Sequence, residues 1–270
     1  MCRKRFQREG KKLDYLNELF RLEGKVAAIT GAGGQLCGCM ALAFGKVKVK
    51  VAVLDNNLEN GSKTAEAIIS GGGEAFAFQM DVTRKNDHER ALAEVLNKYG
   101  DVDILINGAG INAPTPFLDI SEKEWQSILD VNLKGTFFAC QVFGKYMIGK
   151  RKGCIINMSS MSSGPPLSKA FTYSVSKAGV GNLTKNLARE WARYRVRVNA
   201  LRPGFFPTEW SRKNFITPER ERAILGHTPM GRYGEPEELV GMVLYVASES
   251  AGFVTGAELE VDGGFSAMTI

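Results

Sequence analysis

Seven short apolar runs punctuate the chain: Val26–Thr30, Val51–Leu54, Ala75–Met80, Ile104–Asn107, Cys154–Met158, Val196–Leu201 and Leu259–Val261. Between them lie longer stretches with helical spacing, Gln35–Lys46, Leu58–Ile69, Asn86–Tyr99, Glu122–Met147, Tyr173–Tyr194 and Pro236–Ser248. Ser121 ahead of Glu124 has the spacing of a capping box, which marks one helix start. Runs that are apolar throughout, rather than alternating, belong to strands covered on both faces. The alternation therefore predicts an α/β fold: a single-domain, Rossmann-type, doubly wound parallel sheet of seven strands with helices on both faces. Ligands bind such sheets beyond the carboxyl ends of the strands, near the switch in strand order, so the informative residues should follow each strand.

The first strand runs through Thr30-Gly31-Ala32-Gly33-Gly34 into a helix, so backbone N–H groups face outward where a pyrophosphate would sit. The second ends at Asp55, twenty-four residues after Gly31, where a carboxylate accepts both hydroxyls of an adenosine ribose and repels a 2′-phosphate. Asp81-Val82 follows the third run, Asn107-Gly108-Ala109-Gly110 closes the fourth, and Ser159-Ser160 lies beyond the fifth. Asn132 lies inside the long predicted helix. Thirteen residues after Ser160, Tyr173 and Lys177 stand four apart, which puts a phenol and an ammonium on one helix face.

Composition narrows the class. With 270 residues, 44% hydrophobic and 24% charged, the chain can bury a core, which excludes disorder. It has 30 Gly and 9 Pro without a repeat, which excludes collagen-like rods and solenoids. The uncharged stretch Val26–Gly45 is interrupted by glycines and polar residues and reads as strand, turn and helix, so no membrane span is expected. Five scattered cysteines, Cys2, Cys37, Cys39, Cys140 and Cys154, form no CxxC pair; a reducing cytoplasm and no metal site are expected. Of the net charge of +6, the segment Met1 to Lys12 supplies most, through Arg3, Lys4, Arg5, Arg8, Lys11 and Lys12 against Glu9. It reads as a solvated extension, residues 1–21 with an amphipathic lead-in at Leu13–Phe20, ahead of a domain at 22–270; no nucleic-acid partner is expected, since no aromatic stacking platform accompanies it.

These residues together resemble the short-chain dehydrogenase/reductase family from about Leu22 to Phe265, on Thr30-Gly31, Asp55, Asp81-Val82, the Asn107 segment, Asn132, Ser160, Tyr173-x3-Lys177, Pro203-Gly204 with Thr208, and Val261-Asp262-Gly263-Gly264. Within it, Leu16-Asn-Glu-Leu-Phe and the closing Gly-Gly-Phe-Ser-Ala-Met are similar to reductases of sugar acids such as mannonate/fructuronate or gluconate oxidoreductases. The resemblance implies Tyr173 as general acid/base, Lys177 lowering its pKa and holding the nicotinamide ribose, Ser160 orienting the substrate oxygen, and Asn132 holding a water that links Lys177 to solvent. It implies a cofactor, NAD rather than NADP, bound by Gly31, Gly34, Gln35 and Leu36 in the first turn, Asp55 and Asn56 at the ribose, Asp81 and Val82 at the adenine, Asn107, Ala109 and Gly110 along the fourth strand end, and Pro203, Gly204, Phe206 and Thr208 at the carboxamide. A lid at about 208–234 would offer Trp210, Arg212, Lys213, Asn214, His227 and Arg232 to a small polar, anionic substrate. A homotetramer packed through Glu122–Met147 and Tyr173–Tyr194 is also implied. The expected activity interconverts a secondary alcohol and a ketone on a sugar acid or polyol. Two alternatives share these residues: a 3-oxoacyl carrier-protein reductase, which Asp55 disfavours, and a nucleotide-sensing binding protein with little turnover.

Two stretches depart from the family pattern. Gln35 and Cys37 replace the usual second and third glycines of the first turn, and a side chain at 37 is expected to obstruct the pyrophosphate and weaken cofactor binding, with Gly33, Gly34 and Gly38 partly compensating. Gly45-Lys-Val-Lys-Val-Lys lacks the usual Gly-Ala turn, and its alternation predicts an edge-like strand extension.

Overall fold

The apolar runs form seven parallel strands: β1 (Val26–Thr30), β2 (Lys50–Asp55), β3 (Glu74–Gln79), β4 (Ile104–Asn107), β5 (Gly153–Met158), β6 (Val196–Pro203) and β7 (Glu258–Val261). They lie in one sheet in the order β3-β2-β1-β4-β5-β6-β7, so the strand order reverses between β1 and β4. The computed structural model describes residues 14–268, and the basic segment Met1 to Lys12 lies outside the described residues. The connecting helices are α1 (Asp14–Leu19), α2 (Gln35–Lys46), α3 (Leu58–Ser70), α4 (Lys85–Tyr99), α5 (Glu122–Leu129), α6 (Gly135–Gly149), α7 (Phe171–Trp191), α8 (Glu209–Asn214), α9 (Pro218–His227) and α10 (Val240–Ala247).

The pleat explains why the strands read as unbroken apolar runs. Ala27, Ile29, Val51, Val53, Ile104 and Ile106 point to one face and pack with Met40 and Phe44 of α2, Ile68 of α3 and Val243 and Val246 of α10. Val26, Ala28, Ala52, Leu54 and Leu105 point to the other and meet Val95 of α4, Phe143 and Met147 of α6 and Ala188 of α7. Both faces are dry, so neither alternate set of positions is polar. Among the described residues, no helix is long and apolar enough to cross a membrane.

Two local expectations are corrected. The helix predicted over Glu122–Met147 is interrupted: α5 ends at Leu129, Asp130–Lys134 form a π turn, and α6 begins at Gly135. The extra residue in that turn carries Asn132, and π turns inside helices recur at functional sites. The Lys-Val repeat is a helix terminus, not an edge-like strand. Lys48 takes a left-handed conformation (φ 62°), Val49 N–H returns to the Phe44 carbonyl (3.0 Å), and β2 begins at Lys50, inside the sheet between β1 and β3. Burial of Val49 drives the choice, while the Lys48 ammonium reaches the Gly72 carbonyl at 2.8 Å.

Candidate active site

The turn from β1 to α2 is built around Gly31. At φ 71° it occupies the left-handed region, and a Cβ there would stand 2.8 Å from the backbone N and Cα of Ala109. Thr30 fixes the same approach, its Oγ1 accepting from Gly108 N–H (3.1 Å) and Ala109 N–H (3.4 Å) while donating to the Ile106 carbonyl (3.4 Å). Asp55, at the end of β2, accepts from Gly33 N–H and Asn57 N–H, each at 2.9 Å. A Cβ at Gly33 would crowd that carboxylate at 3.0 Å, so the cradle needs glycine here too. Gly34 caps α2 without a side-chain bond, leaving the first N–H groups of the helix open to an anion. Gln35 is exposed and Leu36 lines the cavity described below.

Cys37 is buried, and its Sγ fills the space that a Cβ on Gly108 would need. Position 108 thus has room for no side chain beside Cys37, and Cys37 also borders the cavity described below. Burial pushes this thiol up to about 12, so it stays neutral.

Beyond β3, burial works against ionisation of Asp81, but the hydroxyl and amide of Thr83 (2.7 and 2.9 Å), with Arg84 and His88, outweigh it and hold the carboxyl below its ordinary range. The buried His88 ring nitrogen lies 2.9 Å from the Val82 carbonyl and steadies that residue. Asn56 is exposed at the end of β2. Asn107 behaves differently from the rest of its segment: its side chain turns into the core and donates to Asn157 Oδ1 at 2.8 Å, and Asn157 in turn donates to Thr184 (2.9 Å). The backbone of Gly108 and Gly110 borders the cleft, and that of Ala109 packs on Gly31.

Asn132 joins three elements. Its amide nitrogen donates to the Ile111 carbonyl and to Ser176 Oγ, both at 3.0 Å, and its Oδ1 accepts from Ile111 N–H at 2.8 Å. Both amide protons are therefore engaged, and a relay water would have to bind an acceptor lone pair. A Cβ at Gly110 would lie 3.4 Å from Asn132 Oδ1 and 3.6 Å from Lys177 Nζ, so these two groups converge on the same stretch of backbone.

On α7, Tyr173 and Lys177 face the loop after β5 as the four-residue spacing implied. Lys177 is buried, donates to the Met158 carbonyl at 2.6 Å and has its Nζ 5.5 Å from the centre of the Tyr173 ring. Burial depresses its pKa to about 8. Burial raises the Tyr173 phenol, while the Ser160 hydroxyl pulls it back down. Ser160 Oγ accepts from Ser162 N–H (3.2 Å) and Ser162 Oγ (3.1 Å), which leaves its own proton directed at the Tyr173 oxygen.

Above these groups opens a cavity of about 720 Å³, walled by Met161, Leu167, Phe206, Trp210, Phe215 and Arg220 among others. Pro203 ends β6 at its floor, Gly204 follows with its N–H on the Val261 carbonyl (2.9 Å), and Thr208 caps α8. Of the donors expected on residues 208–234, only Trp210 lines the cavity. Arg212 lies over the Tyr233 ring (5.6 Å), Lys213 is exposed, Asn214 donates to the Trp210 carbonyl, His227 packs on Phe265 (4.5 Å) and Arg232 pairs with Glu238 (2.7 Å). Arg220 borders the cavity instead. Nothing in the alternating charges of Pro218-Glu-Arg-Glu-Arg sets it apart from Arg222, so the sequence pattern passes over it. Among the described residues, no group of three or more His, Cys, Asp or Glu is placed to hold a metal ion.

A glycine cradle at the switch point, facing a Ser/Tyr/Lys set at the carboxyl edge, is the layout of a dinucleotide-dependent oxidoreductase. The family model described as enoyl-(acyl carrier protein) reductase matches residues 35–266. An uncharacterized oxidoreductase, UxuB, of Bacillus subtilis (strain 168) is 39% identical over 267 residues, covering 91% of this chain and 96% of that protein. Galactitol 2-dehydrogenase (L-tagatose-forming) of Cereibacter sphaeroides is 37% identical over 257 residues, covering 94% and 99%. The crystal structure of a gluconate 5-dehydrogenase from Burkholderia cenocepacia J2315 in complex with NADP and tartrate superposes with a TM-score of 0.90 at 31% identity, covering 94% of this chain and all of that one. The chain belongs to the short-chain dehydrogenase/reductase family of oxidoreductases.

Proposed function

We propose that the chain is an NAD-dependent oxidoreductase that interconverts a secondary alcohol and a ketone on a small polar substrate, a sugar acid or polyol. The observation that carries this reading is the meeting of Ser160, Tyr173 and Lys177 on the floor of the cavity. The names of the relatives support the substrate class: one is a galactitol 2-dehydrogenase and another a gluconate 5-dehydrogenase. The first turn and the N-terminus of α2 would hold the pyrophosphate, Asp55 with Asn56 the adenosine ribose, Asp81 and Val82 the adenine, Tyr173 and Lys177 the nicotinamide ribose, and Pro203 to Thr208 the carboxamide. When bound, the nicotinamide supplies or accepts the hydride. Ser160, whose proton points at the Tyr173 oxygen before substrate enters, turns that proton to the substrate oxygen and orients it. Tyr173, a phenol whose ionisation burial disfavours, gives its proton to that oxygen during reduction and recovers it in the reverse direction. Lys177 favours the phenolate by its charge, and Asn132 fixes the Ile111 backbone against α7. Exposed Phe137 on α6 and Val175 on α7 support a homotetramer packed through these helices.

The test is NADH oxidation and NAD or NADP reduction across a panel of sugar acids, polyols and their keto forms. Specificity constants with NAD should exceed those with NADP about tenfold or more, because a 2′-phosphate beside Asp55 meets like charge and Asn57 is engaged in capping α3. Asp55→Ser should narrow the ratio; equal or better kinetics of the native protein with NADP would overturn the preference. A second expectation follows from Lys177. Its ammonium predominates below about pH 8, so if that charge holds the ribose, NAD affinity should fall roughly tenfold from pH 7 to pH 9 as the proton is lost. A flat calorimetric titration over that range would remove the ribose role.

A further inference from the structure

We propose that Arg220 is the anchor for the substrate carboxylate in the cavity over Tyr173; this rests on the sugar-acid reading above. The cavity walls are mainly apolar, and the cations that border it are Lys177 on the floor and Arg220 on the opposite cover. Lys177 is already engaged with the Met158 carbonyl. Arg220 stands in the first turn of α9, its backbone N–H held by the Thr217 side chain at 3.2 Å, so the start of its side chain is fixed.

The guanidinium is also fixed. It lies over the Phe215 ring at 4.9 Å, and two of its N–H groups reach the Ser168 hydroxyl (2.7 Å) and carbonyl (2.9 Å) across the cavity mouth. Those partners are neutral. Arg202 and Arg232 each hold a glutamate, but among the described residues no carboxylate pairs with Arg220, and its Nε is buried without a hydrogen-bond partner. A guanidinium has five N–H donors, and an edge of the fork suits both oxygens of a carboxylate. What the site lacks is an anion. A sugar acid placed with its reacting oxygen at Ser160 and Tyr173 would supply one at its far end, with the apolar walls flanking the carbon chain. A polyol of equal length would fill the same space and leave the guanidinium without a charge partner.

The experiment compares wild type, Arg220→Ala and Arg220→Lys on an aldonate such as gluconate and on the polyol of the same carbon number, with NAD saturating. Arg220→Ala should lower kcat/KM for the aldonate at least tenfold more than for the polyol, chiefly through KM. Arg220→Lys should fall between, because it keeps charge but loses the fork. Equal losses on both substrates would overturn the proposal and leave Arg220 as a tether between α9 and Ser168. NAD affinity of each variant reports whether it is folded, and the lysine variant alone decides the ratio if the alanine variant is not. A binding arm separates this proposal from the reading beneath it: tartrate is titrated calorimetrically into each protein with NAD present. Tartrate binding that is strong in wild type and lost in Arg220→Ala, with no sugar acid turned over, upholds the anchor and removes only the sugar-acid reading. Equal tartrate binding in both proteins, or none in wild type, overturns the anchor.

Discussion

Replacing Tyr173 by Phe should lower turnover by roughly 10²–10⁴-fold, the range that a positioned general acid/base supplies, with NAD affinity and thermal midpoint close to wild type. The substitution removes one oxygen. The ring keeps its place beneath the Lys177 ammonium, 5.5 Å from its centre, and Lys177 keeps its bond to the Met158 carbonyl. What disappears is the proton donor that burial holds in its neutral form. Ser160 still donates to the substrate oxygen, so the residual rate measures orientation without proton transfer. Steady-state kcat together with a calorimetric NAD titration checks the result. Wild-type turnover in the variant would mean that another group moves the proton, and a matching loss of NAD affinity would mean that the phenol holds the cofactor as much as it serves the chemistry.

Gly31→Ala should destabilise the fold by roughly 2–4 kcal/mol, summing a strained left-handed residue and an overpacked contact, and should abolish NAD binding. Its Cβ would press on the backbone of Ala109 at 2.8 Å. That backbone cannot retreat easily, because Thr30 Oγ1 holds it from one side and Asn132 pins Ile111 from the other. Gly34→Ala gives the contrast: its φ of −85° suits any residue, and its Cβ would meet only the Gly31 carbonyl at 3.2 Å. Denaturant midpoints at unchanged m-value separate the two. A Gly31→Ala midpoint matching wild type would show that the 108–110 segment gives way.

The strands were legible because burial on both faces suppresses polar positions altogether, and the pair Tyr173 and Lys177 because four residues make one helical turn. Asp55 was legible from its place at a strand end. The π turn at Asp130–Lys134 was not, since one added residue leaves apolar spacing intact on either side of it. Asn107 could have been assigned inward from its strand parity: it shares a face with Leu105, which packs into the core, and lies opposite Asn157 on β5. The left-handed Lys48 gave no sign, because the conformation favours glycine and the residue that adopts it here has only a buried neighbour, Val49, to impose it. Arg220 was hidden for another reason. A charged helix turn looks the same in sequence whether it faces solvent or the mouth of a cavity, and only the packing of α9 over the loop at Ser168 distinguishes the two.

The contact between Cys37 and Gly108 couples substitutions in two loops. The sulfur on α2 occupies the volume that a side chain after β4 would take, so one space is shared by two segments that are seventy-one positions apart. Glycine at 37 alone would leave a void beside Gly108, and alanine at 108 alone would drive into Sγ and the Thr30 carbonyl. A first turn with glycine at position 37, grafted alone, would therefore leave that volume empty, and a variant that retains a filled interior must change the β1–α2 turn and the 107–110 segment together.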